Sequence, residues 1–187
     1  NEIMIDPPGA DSSADEWIEL INRDAHGVNM SGWMLFAKTE DISDVFGAEP
    51  EFTFPELVLM PEEIVLVHSI NEIDEQNFSP LAHHLYANNT NIWANTRGSA
   101  ALVSPARTGI DFIRWGDTGD APVMPDHFEG SCPGPKSGES ISRLWDKEDD
   151  DNASDFYIPQ KSNITPGLEN DQVHTFRLEG LPNLNVV

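Results

Sequence analysis

The stretch with the clearest chemical potential is Asp146 to Asp155, DKEDDDNASD. Asp146, Glu148, Asp150 and Asn152 alternate along it, so an extended loop presents them on one side. Calcium takes about six to eight hard oxygen ligands, and carboxylates with an Asn carbonyl supply such oxygens from one loop. These residues are the calcium ligands to which the sequence points. The spacing is not that of an EF-hand loop: Asp151 stands at the sixth position, where Gly is required, and Tyr157 at the twelfth, where Glu is required. A solvated acidic loop accounts for the same composition without an ion. Asp117-Thr118-Gly119-Asp120, a turn with carboxylates at both ends, is a weaker cation candidate.

Other reactive residue types form no catalytic set. Gly-x-Ser-x-Gly, His-Glu-x-x-His, Walker A and Gly-x-Gly-x-x-Gly patterns are all missing from the sequence. His83 and His84 are adjacent, so on a strand they point to opposite faces and make a poor joint metal site; they read as surface histidines. Cys132 is the only cysteine, which excludes an intrachain disulfide, and it reads as a buried, inert thiol. Trp17, Trp33, Trp115 and Trp145 fall in strand-like runs and read as core, whereas Trp93, within NNTNIWANT, reads as exposed. Sequons for N-glycosylation occur at Asn29, Asn77, Asn88, Asn152 and Asn163. That number in 187 residues leans toward an extracellular setting.

Charge narrows the partners. The chain carries 10 basic and 33 acidic residues, a net charge of −23, which repels nucleic acid and anionic membranes. The sequence contains no run of roughly 20 apolar residues such as a transmembrane helix requires. An apolar fraction of 39% in 187 residues suffices for one sandwich with a proper core. Opening at Asn1 rather than Met, the sequence reads as a processed product or an excised domain.

The elements that must position these residues are strands. Ile3 and Ile5 alternate with polar neighbours, and Asp6-Pro7-Pro8-Gly9 stops the run. Trp17 to Ile21 and the segment after Ser31-Gly32 repeat the pattern. Phe52 to Pro55 reads as a short edge strand, and Ile64 to His68 as a central strand buried on both faces. Ser79 as N-cap and Pro80 at the first helical position predict a short helix over Pro80 to Tyr86. Gly98 to Ser104 and Ile110 to Trp115 form a hairpin around Pro105 to Gly109. Gly116 to Gly138 crosses between sheets and is either ordered by a ligand or partner or packed locally by Met124 and Phe128. The expected two-sheet interior comprises Ile3, Ile5, Trp17, Ile18, Leu20, Trp33, Leu35, Val65, Val67, Ala101, Val103, Phe112 and Ile141.

NEIMID, DEWIELIN and SGWML, followed in order by FTFP, LMPEEIVLV, GSAALVS, GIDFIRWG, SGESISRLW and DNASDF…TPGLEN, resemble a lamin-tail domain. The resemblance runs from Asn1 to Asn170. It implies an immunoglobulin-like β-sandwich, and with the elements above the expected fold is an all-β, two-sheet sandwich with long loops and one short helix. It also implies no catalytic residues, and roles in binding and structure. Residues 1–170 are then one sandwich, and residues 171–187 a C-terminal extension in which Val173 to Leu178 makes an extra strand. That strand pairs with its own sheet or with a neighbouring copy of the chain.

The resulting expectation is a non-catalytic glycoprotein module outside the cell, structural or adhesive, at a surface, matrix or appendage. It is calcium-stabilised and self-assembles into filaments. The rival is an accessory binding domain of a larger secreted hydrolase. The apolar tail argues against the rival, because a linker should be polar and rich in Gly, Ser or Pro.

Overall fold

The structure, a computed structural model, describes residues 1–8, 16–38, 49–70, 79–89, 92–116, 128–144, 151–160, 164–168 and 170. Alternation in the sequence becomes strands: β1 (Glu2–Met4), β2 (Trp17–Ile21), β3 (Val28–Asn29), β4 (Met34–Lys38), β5 (Phe52–Thr53), β6 (Val58–Leu59) and β7 (Ile64–His68). β8 (His83–Tyr86), β9 (Gly98–Val103), β10 (Gly109–Trp115), β11 (Ile141–Arg143) and β12 (Phe156–Tyr157) follow. A six-stranded sheet has the order β12-β11-β1-β2-β7-β8, a four-stranded sheet the order β10-β9-β4-β5, and β3 pairs with β6. Strands β11 and β12 belong to the same sheet as β1, so the sheet that the N-terminus opens is finished by residues beyond 140.

β7 is buried at every position and lies between β2 and β8, the central place its unbroken apolar run requires. β9 and β10 form the expected antiparallel hairpin, with the Ser104 hydroxyl accepting the Thr108 N–H at 3.2 Å inside the turn. β5 is the expected edge strand. The helix expected over Pro80 to Tyr86 is not formed. The Ser79 hydroxyl accepts the Leu81 N–H at 3.3 Å, as a cap would, but the chain then extends into β8, parallel to β7 with Val65 opposite His83. A seven-residue helix is marginal by itself, while the edge of β7 satisfies the backbone of an arriving strand. The helical element among the described residues is instead a 3-10 turn, Ala153–Asp155.

One face of the six-stranded sheet places Ile3, Ile18, Val65, Val67 and Ile141 in the interior, with Leu35, Ala101, Val103 and Phe112 from the four-stranded sheet in the same cluster. Leu20 and Trp33 pack at its margin, only partly buried. Trp17 departs from the expected interior. It is buried with Met4, Ile64 and Leu66 in a second cluster on the opposite face of the six-stranded sheet. Trp93, expected to be exposed, is 3% exposed. The reason is Glu16, whose buried carboxylate accepts the N–H groups of Ile92 at 2.7 Å and Trp93 at 3.0 Å and pins that segment to the core.

Residues 128–132 run along the side of the sandwich, with Cys132 bridged to Trp115 of β10 and Glu129 to Asn152. Phe128 fills the seam, 5.8 Å from the Phe112 ring and 6.0 Å from the Phe156 ring. This is the packing expected of Phe128; Met124 lies outside the described residues. Gly116 makes the turn out of β10 at φ +77°, where a Cβ would stand 2.1 Å from the Thr96 carbonyl oxygen.

Candidate interaction cleft

A cleft of about 440 Å³ opens at one edge of the sandwich. Its walls are apolar: Leu20 from β2, Met30 and Trp33 before β4, Leu59 from β6, and Leu102 and Ile110 from the β9–β10 hairpin. The strand pair β3–β6 is held in place by Asn22, whose side-chain amide donates to the carbonyl oxygens of His26 and Leu59, both at 2.8 Å. The polar part of the lining includes Asn1, Asn22, Arg23 and an ion pair in which Arg143 Nη2 donates to the Asp111 carboxylate at 2.9 and 3.1 Å. The same guanidinium lies 4.6 Å from the centre of the Phe156 ring, so Arg143 is fixed by charge on one side and by a cation–π contact on the other. Asn170 sits at the rim, its amide donating to the carbonyl oxygens of Asn1 at 2.9 Å and Arg143 at 2.7 Å. Such a cleft binds by shape and apolar contact, with a few oriented polar groups setting direction.

A second polar assembly lies on the other face of the six-stranded sheet. Glu2 and Glu19 are directly opposite each other in β1 and β2, both fully or nearly fully buried. Glu2 accepts from the hydroxyls of Ser140 and Ser142, the latter at 2.9 Å, and from the Thr165 N–H at 3.3 Å. Glu19 accepts from the Asn1 side-chain amide and the Gly167 N–H. Burial pushes Glu19 up to about 7 and raises Glu2 in the same direction, against the pull of these donors. The carboxylates thereby tie residues 164–168 onto the sheet.

The residues singled out in the sequence scatter. Asp146, Glu148 and Asp150 lie outside the described residues, as do Asp117 to Asp120, the sequons at Asn77 and Asn163, Trp145 and the segment Val173 to Leu178. Asn152 caps the 3-10 turn, its side chain accepting the Ser154 N–H at 2.8 Å while Asp155 accepts the Asn152 N–H at 3.1 Å. Among the described residues, no three His, Cys, Asp or Glu side chains are grouped to hold a metal ion. Asn29 and Asn88 are exposed and Asn152 is half-buried. Because His83 and His84 lie on β8 rather than on the expected helix, they turn to opposite faces, and neither is a plain surface residue. His83 approaches Glu63 at 3.4 Å, and His84 bridges the fully buried His68 at 2.9 Å and the Ser79 carbonyl at 3.0 Å. Cys132 is the buried, inert thiol expected, pushed up to about 12 by desolvation. Sequence reasoning missed the Asp111–Arg143 pair and the Glu2–Glu19 pair. The available signal was a charged residue inside each of four short apolar strands.

An all-β sandwich with an edge cleft and with its buried carboxylates engaged in holding backbone defines a class: a binding module of immunoglobulin-like architecture. The family model of the lamin tail domain matches residues 1–117 of the 187, and the chain belongs to that family. Lamin tail domains are non-catalytic immunoglobulin-like interaction modules. No curated protein matches the sequence. Among the described residues no helix is long and apolar enough to cross a membrane.

Proposed function

We propose that this protein is a non-catalytic structural or adhesive module acting outside the cell, at a surface, matrix or appendage, whose edge cleft receives an apolar segment of a neighbouring copy. The cleft carries the reading: about 440 Å³ walled by Leu20, Trp33, Leu59 and Ile110 is the volume and chemistry of a binding pocket. A second copy is the favoured partner because of where the C-terminal extension begins. Asn170 is anchored on Asn1 and Arg143, which both line the cleft, so the segment leading to Val173–Leu178 starts at the cleft's rim. Added strands gain affinity from main-chain hydrogen bonds and specificity from alternate side chains. A head-to-tail contact of that kind grows a ring or filament rather than closing on a pair.

The setting is supported by the sequons, with Asn29 and Asn88 exposed, and by a net charge of −23 that disfavours nucleic acid. Calcium held by Asp146, Glu148, Asp150 and Asn152 would offset that charge between copies. Sedimentation equilibrium of the full chain, of a chain lacking residues 171–187, and of Ile110→Glu tests the reading. Ile110 is 48% exposed, so the fold tolerates the change. Concentration-dependent assembly of the full chain is expected, with both variants monomeric and their circular dichroism unchanged. A full chain that stays monomeric at its highest soluble concentration, or assembly that survives both changes, refutes it.

A further inference from the structure

β3 and β6 form a ribbon of two residues each, separate from the two larger sheets. Its inner side belongs to the cleft: Val28, Met30 and Leu59 line the wall, and Met30 and Leu59 are buried. Its outer side alternates with them. Asn29 lies directly opposite Val58, so the two share the outer face with their Cβ atoms about 5 Å apart. Met60, two residues past Val58, stands on that face as well. The Val58 and Met60 side chains close over Gly27, where a Cβ would stand 3.3 Å from Val58 Cγ1 and 3.1 Å from Met60 Sδ. Both remain open to solvent, Val58 at 51% and Met60 at 50% exposure.

Asn29-Met30-Ser31 has the N-x-Ser form that accepts an N-linked glycan. Asn29 is exposed, as the attachment requires. Its side-chain oxygen accepts the Ser31 N–H at 3.0 Å, an Asx turn that engages the oxygen and not the nitrogen to which a sugar is joined. The sequon and the paired apolar side chains thus meet on one face of one ribbon. A sugar ring suits that surface, because one of its faces is lined by C–H groups while its hydroxyls keep the outside wetted. A two-stranded ribbon is only marginally stable by itself, so a cover on its outer side steadies the wall of the cleft on its inner side.

We propose that Asn29 carries an N-linked glycan whose innermost sugars lie over Val58 and Met60. This rests on the reading above that the chain leaves the cell. In the transfer, Asn29 Nδ2 forms a bond to the anomeric carbon of a lipid-linked oligosaccharide. The bond from that carbon to an oxygen of the lipid phosphate breaks, the phosphate leaves with the electron pair, and one Nδ2 proton passes to a base of the transferase. Nothing is oxidised or reduced. The glycan also removes an apolar surface from the outside of the ribbon, which leaves contact between copies to the cleft.

The test compares the full chain secreted from a eukaryotic cell line with the same chain made in a bacterium that does not N-glycosylate. Peptide mass spectrometry is expected to find Asn29 occupied in the secreted form. That form should melt about 2–4 °C higher, the shift of one modest added contact in a chain of this length. Asn29→Gln and the double change Val58→Ser with Met60→Ser are made in both hosts, so that each variant is its own reference and any damage to the fold cancels. In both, the shift between hosts should fall below half that of the parent. If the double change does not fold, Met60→Gln replaces it. A bare Asn29, equal melting of the two forms, or an undiminished shift in either variant overturns the proposal. Assembly through the cleft is read separately by sedimentation of Ile110→Glu, so a bare Asn29 leaves that reading standing and a monomeric chain leaves the glycan test intact.

Discussion

Replacing Glu19 by Gln isolates the energetics of the buried carboxylate pair. Glu19 lies in the middle of β2, fully buried, across from Glu2. Burial raises it from an ordinary 4.5 to about 7. The folded protein therefore holds a proton that the unfolded chain releases near pH 4.5. Stability from this group is fully present below pH 4.5 and is lost as pH rises toward 7. At about 1.4 kcal/mol per pH unit, the loss across that interval is about 3 kcal/mol. Gln cannot release a proton, so this slope vanishes in the variant. Its amide offers one oxygen to the two donors, Asn1 Nδ2 and Gly167 N–H, which leaves one of them facing an NH₂ group. That mismatch costs about 1 kcal/mol at every pH. The two stability curves must therefore cross: the variant is weaker by about 1 kcal/mol at pH 4.5 and stronger by about 2 kcal/mol at pH 8. In melting temperature the gain at pH 8 is about 4–8 °C for a chain of this size. Glu2, raised by burial in the same direction, leaves a residual slope in both proteins. Thermal or urea denaturation from pH 4.5 to 8 gives both curves. Parallel curves, or a variant weaker at every pH, would refute the assignment of Glu19 as a buried group protonated in the fold.

Two further outcomes separate the placement of the tryptophans and the role of the acidic loop. Trp115→Ala should cost about 3–5 kcal/mol, because its ring is fully buried and its Nε1 donates to the Ala94 carbonyl at 2.9 Å. Trp33→Ala, on the wall of the cleft and only partly buried, should cost about 1–3 kcal/mol, and equal losses in urea denaturation would contradict the register of β4 and β10. Millimolar calcium should raise the melting temperature of the full chain, and Asp150→Asn should abolish the rise; calorimetry that shows neither heat nor stabilisation retires the calcium reading. Asn152→Ala is the poorer probe, since it removes a cap worth about 1 kcal/mol with or without calcium.

Period-two alternation was enough to read the strands, because each needs one face against the interior and the chain has few ways to satisfy that. Ile3, Ile18 and Ile141 became interior neighbours across β1, β2 and β11 as alternation demands. The same signal cannot tell which strands will meet an edge. Ser79-Pro80 reads as a helix start, and the Ser79 hydroxyl does accept the Leu81 N–H, yet the chain only turns there and the open side of β7 captured His83–Tyr86 as a parallel strand. Trp93 failed for a related reason. Its Asn-rich surroundings look solvated, and only Glu16, 77 positions earlier, accounts for its burial.

The polar residues were the harder problem, because their chemistry depends on what covers the second face of each sheet. Glu2 and Glu19 alternate correctly with Ile3 and Ile18 and so read as solvent-facing carboxylates. They do point away from the sandwich interior, but that face is roofed by residues 164–168, and Gly167 reaches Glu19 across 148 positions of sequence. The roof turns groups that would ionise near pH 4.5 into one that titrates near 7, with no change in the local sequence. In a two-sheet fold the inner faces are specified by local pattern and the outer faces by distant segments. The titrating carboxylates lie on an outer face, where pattern says only that a residue is polar.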